Sequence, residues 1–291
     1  NIFKGSGVAL VTPFKDGGVN YKKLEELIEW HIKNETDALI VCGTSGEAAA
    51  MSTEERKKVI KFSVEVASKR IPVIAGTGSN DTNYAASMSS WADKAGVDAL
   101  LLVTPYYNKT TQRGLIAHYK AIADNVNVPI ILYNVPSRTG MNITPQTLQS
   151  LSRIKNIKAI KEASGDISQI AKMKALLKDD IDIYSGNDDQ TVPILSIGGI
   201  GVISVIANIL PKKVHDICML YFSGEIEKSR NMFLDILPLM NALFIETNPI
   251  PIKTAMNLMG MDVGDLRLPL CSMSEENIEK LKIEMKKFNL I

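Results

Sequence analysis

The chain has 291 residues, of which 45% are hydrophobic and 22% are charged, and its formal net charge is +1. This length and composition exclude a disordered chain and a mini-protein held together by disulfides, and the balanced charge gives no support to nucleic-acid binding. The cysteines Cys42, Cys218 and Cys271 are far apart and form no metal-binding or disulfide pattern. The first residues lack the order of a signal peptide, so we expect a cytoplasmic protein.

Short apolar runs follow one another along the chain, and helical patterns separate them. Apolar residues recur at helical spacing at Leu24, Leu27 and Ile28, and the stretch from Ser52 to Glu55 has the pattern of a capping box. The apolar runs begin at Val8, Ala38, Val73, Ala99, Ile130, Lys158, Ile181 and Val202.

This alternation of strands and helices predicts an α/β fold, most simply a (β/α)8 TIM barrel. An open doubly wound sheet is the alternative, but the GxGxxG signature of dinucleotide binding is absent. Further helical patterns occupy the end of the chain, with Pro249 and Pro251 among them. We therefore expect the barrel over residues 1–224 and an appended C-terminal helical subdomain over residues 225–291.

The stretch 190–211 carries no charge and is long enough to span a membrane. Pro193, Gly198 and Gly199 interrupt it, which argues against a spanning helix. We expect instead a short helix, a glycine turn and a strand from Gly201 that is buried on both faces, as parallel strands are. The protein is therefore not expected to bind a membrane.

In such a barrel the active site lies at the carboxyl ends of the strands, so polar residues there are the candidates. The second run leads into GTSGE, whose glycines permit a tight turn and whose Thr44 and Ser45 hydroxyls can help hold a carboxylate or phosphate. An ordinary turn is the alternative. The fourth run ends in TPYYN, where Tyr106 and Tyr107 suit packing, an interface or chemistry.

The fifth run ends at Tyr133, whose ring can pack while its hydroxyl faces the cavity. Arg138 follows on the loop. Its planar guanidinium can bind a carboxylate through two hydrogen bonds, although a solvated loop arginine is an equally good interpretation.

Metal binding is not expected from the residue pattern. The seventh run ends in YSGNDD, where we expect an aspartate to cap the next helix rather than to hold Mg²⁺. His31, His118 and His215 show no ligand spacing, so we expect structural roles for all three.

The sixth run, IKAIKEAS, is the most informative. Strand alternation puts Ile157, Ala159 and Lys161 on one face and Lys158 and Ile160 on the other. Lysine is unusual near the end of an apolar barrel strand, because burying an ammonium is costly. Burial favours the free amine, which attacks a ketone to form a Schiff base that acts as an electron sink. We predict Lys161 as the nucleophile, with Lys158 as the weaker alternative.

The motifs GTSGE, TPYYN, YNVPSRTG, IKEASGD, SGND and GVISVIAN occur in this order. Together with NPIPIK and LRLP near the C-terminus, they closely resemble the dihydrodipicolinate synthase family, within the pyruvate-dependent class I aldolase superfamily of N-acetylneuraminate lyase. The resemblance covers essentially the whole chain. GxxGE and the lysine of the sixth strand mark only the superfamily, whereas YNVPSRTG with its arginine points to the synthase.

The resemblance implies a catalytic role for four residues. Lys161 would form the imine with pyruvate, and Tyr133 would shuttle protons. Thr44 would link Tyr133 to Tyr107 in a hydroxyl relay, with Tyr107 contributed by the neighbouring subunit.

The resemblance also implies substrate-binding residues. Thr44 and Ser45 would hold the pyruvate carboxylate, and Ser45 stands where many members have threonine. Arg138 would receive the carboxylate of L-aspartate 4-semialdehyde, and Gly186 and Ile203 would offer backbone carbonyls near the site.

In the implied reaction the pyruvate enamine adds to the aldehyde, and ring closure releases 4-hydroxy-tetrahydrodipicolinate for diaminopimelate and lysine biosynthesis. No metal or organic cofactor is expected, because the lysine supplies the electron sink. A tyrosine that crosses between subunits requires at least a dimer. Family members are usually tetramers built from two tight dimers, so we expect a homo-oligomer.

The resemblance further bears on inhibition by lysine. Members that are inhibited usually carry an acidic side chain at position 84 and histidines at positions 53 and 56, where this chain has Tyr84, Thr53 and Arg56. Without the acid, the ammonium of lysine loses its charge partner, so we predict weak or no inhibition. The inhibited members bind lysine at the dimer interface, near the positions of Ala49, Asn80, Tyr84 and Tyr106.

Two other functions stay open on the sequence alone. One is a sugar-acid aldolase of the same superfamily, against which Arg138 argues, because a polyol chain does not need a cationic clamp. The other is a non-catalytic pyruvate-binding barrel, against which the combination of Lys161, Tyr133 and Thr44 argues.

Overall fold

The computed structural model describes residues 1–291, and a closed barrel of eight parallel strands lies at its centre. Each strand pairs with its neighbours in the chain, and the first also pairs with the last, with Val8 opposite Ser204. This confirms the predicted (β/α)8 barrel, and the alternative prediction of an open doubly wound sheet is wrong. The strands are β1 (Gly5–Ala9), β2 (Ala38–Val41), β3 (Val73–Gly76), β4 (Ala99–Val103), β5 (Ile130–Asn134), β6 (Ile157–Glu162), β7 (Asp182–Ser185) and β8 (Gly201–Ser204).

Helices follow the strands and cover the outside of the barrel. A small antiparallel hairpin pairs Phe14–Lys15 with Gly18–Val19 before the first helix. The helices are α1 (Tyr21–Lys33), α2 (Thr53–Ala67), α3 (Thr82–Lys94), α4 (Gln112–Ala123), α5 (Pro136–Thr139), α6 (Pro145–Leu151), α7 (Ile167–Leu177), α8 (Thr191–Ser196), α9 (Pro211–Phe222), α10 (Ile226–Ala242), α11 (Ile250–Leu258) and α12 (Glu275–Lys286). Three-residue 3-10 turns lie at Ala48–Ala50, Asp188–Gln190 and Ile206–Asn208.

Local sequence signals explain where several helices begin and which face they bury. The Ser52 hydroxyl accepts from the Glu55 backbone N–H at 3.1 Å, and the Glu55 carboxylate accepts from the Ser52 N–H at 2.9 Å, which is the predicted capping box. Helix α1 buries Leu24, Leu27 and Ile28 against the barrel, as their spacing predicts.

The hydrophobic core has an inner and an outer layer, because successive residues of a strand point to opposite faces. Inside the barrel, Ile40, Ile131 and Ile203 pack together. On the outside, residues such as Leu39 and Leu132 pack in the larger cluster that also contains the helices. The barrel interior is therefore filled, and an active site is confined to one end.

Strand β6 departs from simple alternation at its start. Ile130 is paired with Ile157 but Ile131 with Ala159, so one residue of β6 is skipped. Ile157 consequently lies in the outer core, whereas Ala159 lies in the inner one. The predicted shared face of Ile157 and Ala159 is wrong, and the irregularity is the reason. From Ala159 onward the alternation holds, and Lys158 is exposed.

The uncharged stretch 190–211 forms helix α8, a glycine-containing turn and strand β8, as predicted. All four residues of β8 are buried. No helix in the structure combines the length and the apolar character needed to cross a membrane.

The C-terminal helical part is present as helices α10, α11 and α12. Phe233, Met256 and Leu281 of these helices lie in the same hydrophobic cluster as the outer residues of the barrel. The division into domains at residues 224 and 225 stays a prediction.

Candidate active site

A cavity of about 380 Å³ lies at the carboxyl ends of the strands, which is within the usual size of small-molecule sites. The strand ends contribute Thr44, Val103 and Tyr133 to its wall, and the C-terminal part contributes two segments, 247–249 and 267–270. The site is therefore built from both the barrel and the chain that follows it.

Lys161 and Tyr133 lie side by side at the ends of β6 and β5. They are paired in register, and the Lys161 amine is 4.3 Å from the centroid of the Tyr133 ring. Their exposed fractions are only 6% and 7%. Tyr133 lines the cavity, and the Lys161 amine lies beside its ring. A primary amine and a phenol in this arrangement can act on one substrate.

Gly186 and Ile203 also lie close to this pair. A Cβ atom added at Gly186 would lie 2.7 Å from the Ala163 Cβ and 3.1 Å from Cγ of Lys161, so only glycine leaves room for the lysine side chain. Ile203 packs with Tyr133 in the inner core. The structure therefore places Gly186 against the Lys161 side chain and Ile203 in the same inner core cluster as Tyr133.

The GTSGE turn presents Thr44 to the cavity and holds Ser45 more deeply. Thr44 lines the cavity, whereas Ser45 is buried and its hydroxyl oxygen accepts from the side-chain amide of Asn248 at 3.1 Å. Thr12 supports the turn from below by donating to the Gly46 carbonyl at 2.7 Å. Thr44 therefore stands at the cavity wall, and the Ser45 hydroxyl is held by Asn248, which also lines the cavity.

Arg138 lies on the short helix α5 and also lines the cavity. Its guanidinium donates to the backbone carbonyl of Asn248 at 3.2 Å. Asn248 thus bridges the predicted carboxylate cradle at Ser45 and the predicted carboxylate clamp at Arg138. Asn248 was not predicted as a site residue, although it begins the motif NPIPIK that forms part of the family resemblance.

A buried ion pair holds the GTSGE turn against the C-terminal part. The Glu47 carboxylate lies 2.8 Å from the Lys253 amine and also accepts from the Arg267 backbone N–H at 2.9 Å. Burial lowers the pKa of Lys253 despite this partner. The guanidinium of Arg267 binds both oxygens of Glu55, which lowers the pKa of that carboxyl to about 2. Glu47 and Arg267 both line the cavity, and neither was predicted as a site residue.

Tyr107 stands apart from the other predicted residues. It is 92% exposed and does not line the cavity, whereas Tyr106 does. Its backbone is in the left-handed region, with φ of +68°, which is uncommon for a residue with a side chain. A single chain thus brings together Lys161, Tyr133 and Thr44 but leaves Tyr107 pointing to the outside.

Neither aspartate of YSGNDD caps helix α8, whose N-cap residue is Gln190 and has no side-chain capping hydrogen bond, so that prediction was wrong. The Asp188 carboxylate is buried and accepts from the backbone N–H groups of Val205 and Ile206 at 2.9 and 3.0 Å. Burial raises the pKa of Asp188. The residue anchors the turn after β8 to the turn after β7, a contact between segments that the sequence pattern does not link.

One group of potential metal ligands lies far from the cavity. Ligand atoms of Glu35, His215 and Asp216 come within 4.8 Å of one another. The Lys212 ammonium already pairs with Glu35 at 2.8 Å and with Asp216 at 3.0 Å. A cation therefore neutralises these carboxylates already, and the group is explained as a surface ion-pair network.

A closed (β/α)8 barrel with a buried lysine beside a tyrosine at its cavity defines a lyase of the class I aldolase type. The model of the dihydrodipicolinate synthetase family matches residues 2–288. The chain belongs to this family, which confirms the resemblance.

Individual relatives agree with this assignment. The 4-hydroxy-tetrahydrodipicolinate synthase of Clostridium novyi is 65% identical over 288 residues, covering 99% of this chain and 97% of that protein. The structure of the chloride-inhibited dihydrodipicolinate synthase of Acinetobacter baumannii with pyruvate has a TM-score of 0.97 at 45% identity and covers 99% of both chains. The lysine-bound enzyme of Cyanidioschyzon merolae has a TM-score of 0.97 at 37% identity and covers 100% of both chains.

Proposed function

We propose that the protein condenses pyruvate with L-aspartate 4-semialdehyde to 4-hydroxy-tetrahydrodipicolinate, a step of diaminopimelate and lysine biosynthesis. Relatives at 59% to 65% identity carry the name of this synthase. The observation that carries the proposal is the Lys161 amine beside Tyr133, next to a cavity that Arg138 also lines. An amine, a phenol and a cationic clamp suit the joining of a keto acid to an amino-acid aldehyde.

In the first step, Lys161 attacks the C2 carbonyl of pyruvate, and loss of water gives an imine. Tyr133 accepts and returns the protons that this step moves. The pyruvate carboxylate is held by Thr44 and Ser45. Because Ser45 accepts its hydrogen bond from Asn248, its own hydroxyl hydrogen stays available for the carboxylate.

In the second step, loss of a proton from the pyruvate methyl group gives an enamine, whose carbon bonds to the aldehyde carbon of the second substrate. Arg138 binds the carboxylate of that substrate. The substrate amino group then attacks the imine carbon, which closes the ring and releases the Lys161 amine. The backbone carbonyls of Gly186 and Ile203 border the reacting atoms. The imine itself serves as the electron sink, so this chemistry calls for no metal or organic cofactor.

We also propose a homo-oligomer, in which Tyr107 completes the site of the neighbouring subunit through a relay to Thr44 and Tyr133, with tight dimers paired into a tetramer. The near-complete exposure of Tyr107 supports this arrangement. A cytoplasmic location is proposed as well, which suits a chain whose three cysteines are all free.

The test is turnover of pyruvate plus L-aspartate 4-semialdehyde by the wild type and by Lys161→Ala. We expect Lys161→Ala to fold normally and to lose most activity, at least about 10³-fold, because the covalent route is removed. Lys158→Ala is the matched control, since Lys158 is on the same strand but exposed, and it should keep wild-type activity. Near-wild-type turnover by Lys161→Ala would exclude the imine. Turnover of sugar acids in place of the semialdehyde would favour the other aldolase reaction.

A further inference from the structure

Asn134 and Glu162 directly follow Tyr133 and Lys161 on β5 and β6. The two are paired in register, as Tyr133 and Lys161 are one position earlier. Because successive side chains of a strand point to opposite faces, this second pair lies on the outer side of the barrel wall, behind the reactive pair. Both residues are completely buried.

The side chains of this outer pair bind each other. The Asn134 amide donates to both Glu162 oxygens, at 3.2 and 3.1 Å. Glu162 also accepts from the Ser164 backbone N–H at 2.8 Å, and the Asn134 oxygen accepts from the Ile143 N–H at 2.9 Å. The remaining Asn134 donor binds the Asn142 side chain at 2.8 Å.

Glu162 is a buried carboxyl whose hydrogen-bond donors are all neutral. It takes part in no ion pair, and burial raises its pKa. Burying such a group without a cation costs stability, and apolar side chains would hold two strands together at lower cost. The position of the pair next to Tyr133 and Lys161 indicates a function that explains why this loss of stability is tolerated.

The backbone ladder between β5 and β6 ends at this point, where the Ala163 N–H donates to the Asn134 carbonyl at 2.8 Å. Beyond it the two chains diverge towards Arg138 and Ser164. The Asn134–Glu162 pair therefore joins the two strands at their open ends, one residue beyond the amine and ring that lie 4.3 Å apart.

We propose that Asn134 and Glu162 are positioning residues that fix the separation of Tyr133 and Lys161 for imine formation. The inference rests on the imine chemistry of the proposed function. It assigns no contact between these residues and the substrate, because they act from the other face of the barrel wall.

The first test is Glu162→Gln, which keeps the size of the side chain but turns an N–H₂ group towards the Asn134 amide. We expect kcat to fall about tenfold, because a small misplacement of reacting groups is costly. The rate at which borohydride traps pyruvate on Lys161 should fall by the same factor. KM for both substrates should stay within about twofold, since the cradle and the clamp lie on other elements. A kcat and a trapping rate within about twofold of the wild type would overturn the proposal.

The second test exchanges the two groups in the double variant Asn134→Asp/Glu162→Gln. The carboxylate at position 134 can then accept from the amide at position 162 and still accept from the Ile143 N–H, and the Asn142 amide, to which Asn134 donates in the wild type, turns its N–H₂ group towards the new carboxylate. We expect this variant to regain most of the lost kcat and trapping rate. If Glu162→Gln does not fold, the double variant decides alone. A folded double variant with low kcat and slow trapping overturns the proposal.

The matched control is Ser229→Ala. The Ser229 hydroxyl is equally buried and donates to the Ile217 carbonyl at 2.7 Å, far from the cavity. It should lower the melting temperature without changing kcat or trapping, which separates lost stability from lost positioning. A fall of kcat in Ser229→Ala equal to that in Glu162→Gln would overturn the proposal. If borohydride traps pyruvate on the wild type but the semialdehyde is not consumed, the proposed function fails. The trapping rates of the variants still test the positioning role of Asn134 and Glu162.

Discussion

Arg56 and Tyr84 show how single side chains can change a binding surface. The Tyr84 hydroxyl lies 2.9 Å from the Thr53 hydroxyl and accepts from the Arg56 guanidinium at 3.2 Å, while Arg56 also donates to the Gly76 carbonyl at 3.0 Å. By the family resemblance, this is where inhibited members bind the ammonium of lysine. Here a guanidinium and a phenol bound to each other lie in that place.

We therefore predict weak or no inhibition by L-lysine. The cation of Arg56 repels a second cation, and no carboxylate at position 84 offsets that repulsion. The measurement is the initial rate against L-lysine concentration at fixed pyruvate. Tyr84→Glu should increase sensitivity to lysine. Strong inhibition of the wild type at sub-millimolar lysine would contradict the prediction.

His31 is a residue whose charge state affects folding rather than catalysis. It is fully buried, with its Nδ1 atom 2.9 Å from the Thr36 hydroxyl, and burial lowers its pKa to about 3. The unfolded chain has the ordinary histidine pKa near 6.5 and binds the proton more readily. The neutral ring therefore contributes stability above about pH 6.5, and this contribution is lost as the pH falls towards 3.

The corresponding prediction compares wild type with His31→Gln in urea denaturation at several pH values. Relative to the variant, the wild type should lose about 1.4 kcal/mol of unfolding free energy for each pH unit between roughly 6 and 3. Above pH 7 the difference between the two proteins should be constant. Parallel pH profiles throughout the acid range would show that His31 is not buried as a neutral ring.

At the scale of elements, helix α11 is tied to the turn after β2. Lys253 of this helix and Glu47 of the turn form an ion pair in which both side chains are almost fully buried, with exposed fractions of 1% and 0%. The Lys253 amine also donates to the Asp265 carbonyl at 2.9 Å. The carboxylate cradle therefore depends for its shape on a helix that follows the barrel.

Lys253→Met should accordingly destabilise the protein by about 3–5 kcal/mol, because it leaves a buried carboxylate without its cation. Chemical denaturation measures this cost. In the double variant Glu47→Gln/Lys253→Met no charge is left unpaired, so we expect a smaller loss than in the single variant. Equal losses in the two variants would mean that packing, and not charge, dominates the contact.

At the scale of the whole molecule, the position of Tyr107 points beyond one chain. The residue is 92% exposed and held at a positive φ, a conformation that costs about 1–3 kcal/mol and persists where surrounding structure or function requires it. Tyr133 and Arg138 line the cavity of a single chain and the Lys161 amine lies beside the Tyr133 ring, but Tyr107 does not reach the cavity.

We predict that Tyr107→Phe lowers kcat strongly and that mixing subunits restores part of the activity. In an oligomer of Tyr107→Phe and Lys161→Ala subunits, the first type supplies the lysine and the second supplies the tyrosine to the same site. Steady-state rates after co-refolding measure this recovery. An unchanged rate in Tyr107→Phe would show that the residue only packs, and no recovery on mixing would place the tyrosine in the site of its own chain.

The barrel and the class of chemistry could be predicted from the sequence, and so could the position of a candidate nucleophile, Lys161. Each depends on short-range patterns: apolar runs in alternation with helical spacing, the capping box at Ser52, and a lysine near the end of an apolar strand. Thr44, Tyr133 and Lys161 could be chosen as site residues because strand ends converge at one face of such a barrel.

The distant segments that complete the site could be identified only in the folded chain. Asn248 and Arg267 contact residues of the site that lie more than a hundred positions away in the chain. Asp188 binds the turn after β8 instead of capping a helix. The pairing of β6 with β5 skips one residue, which puts Ile157 in the outer core. Local patterns carry no information about such contacts, because long-range hydrogen bonds and strand register are fixed by the packing of the whole barrel.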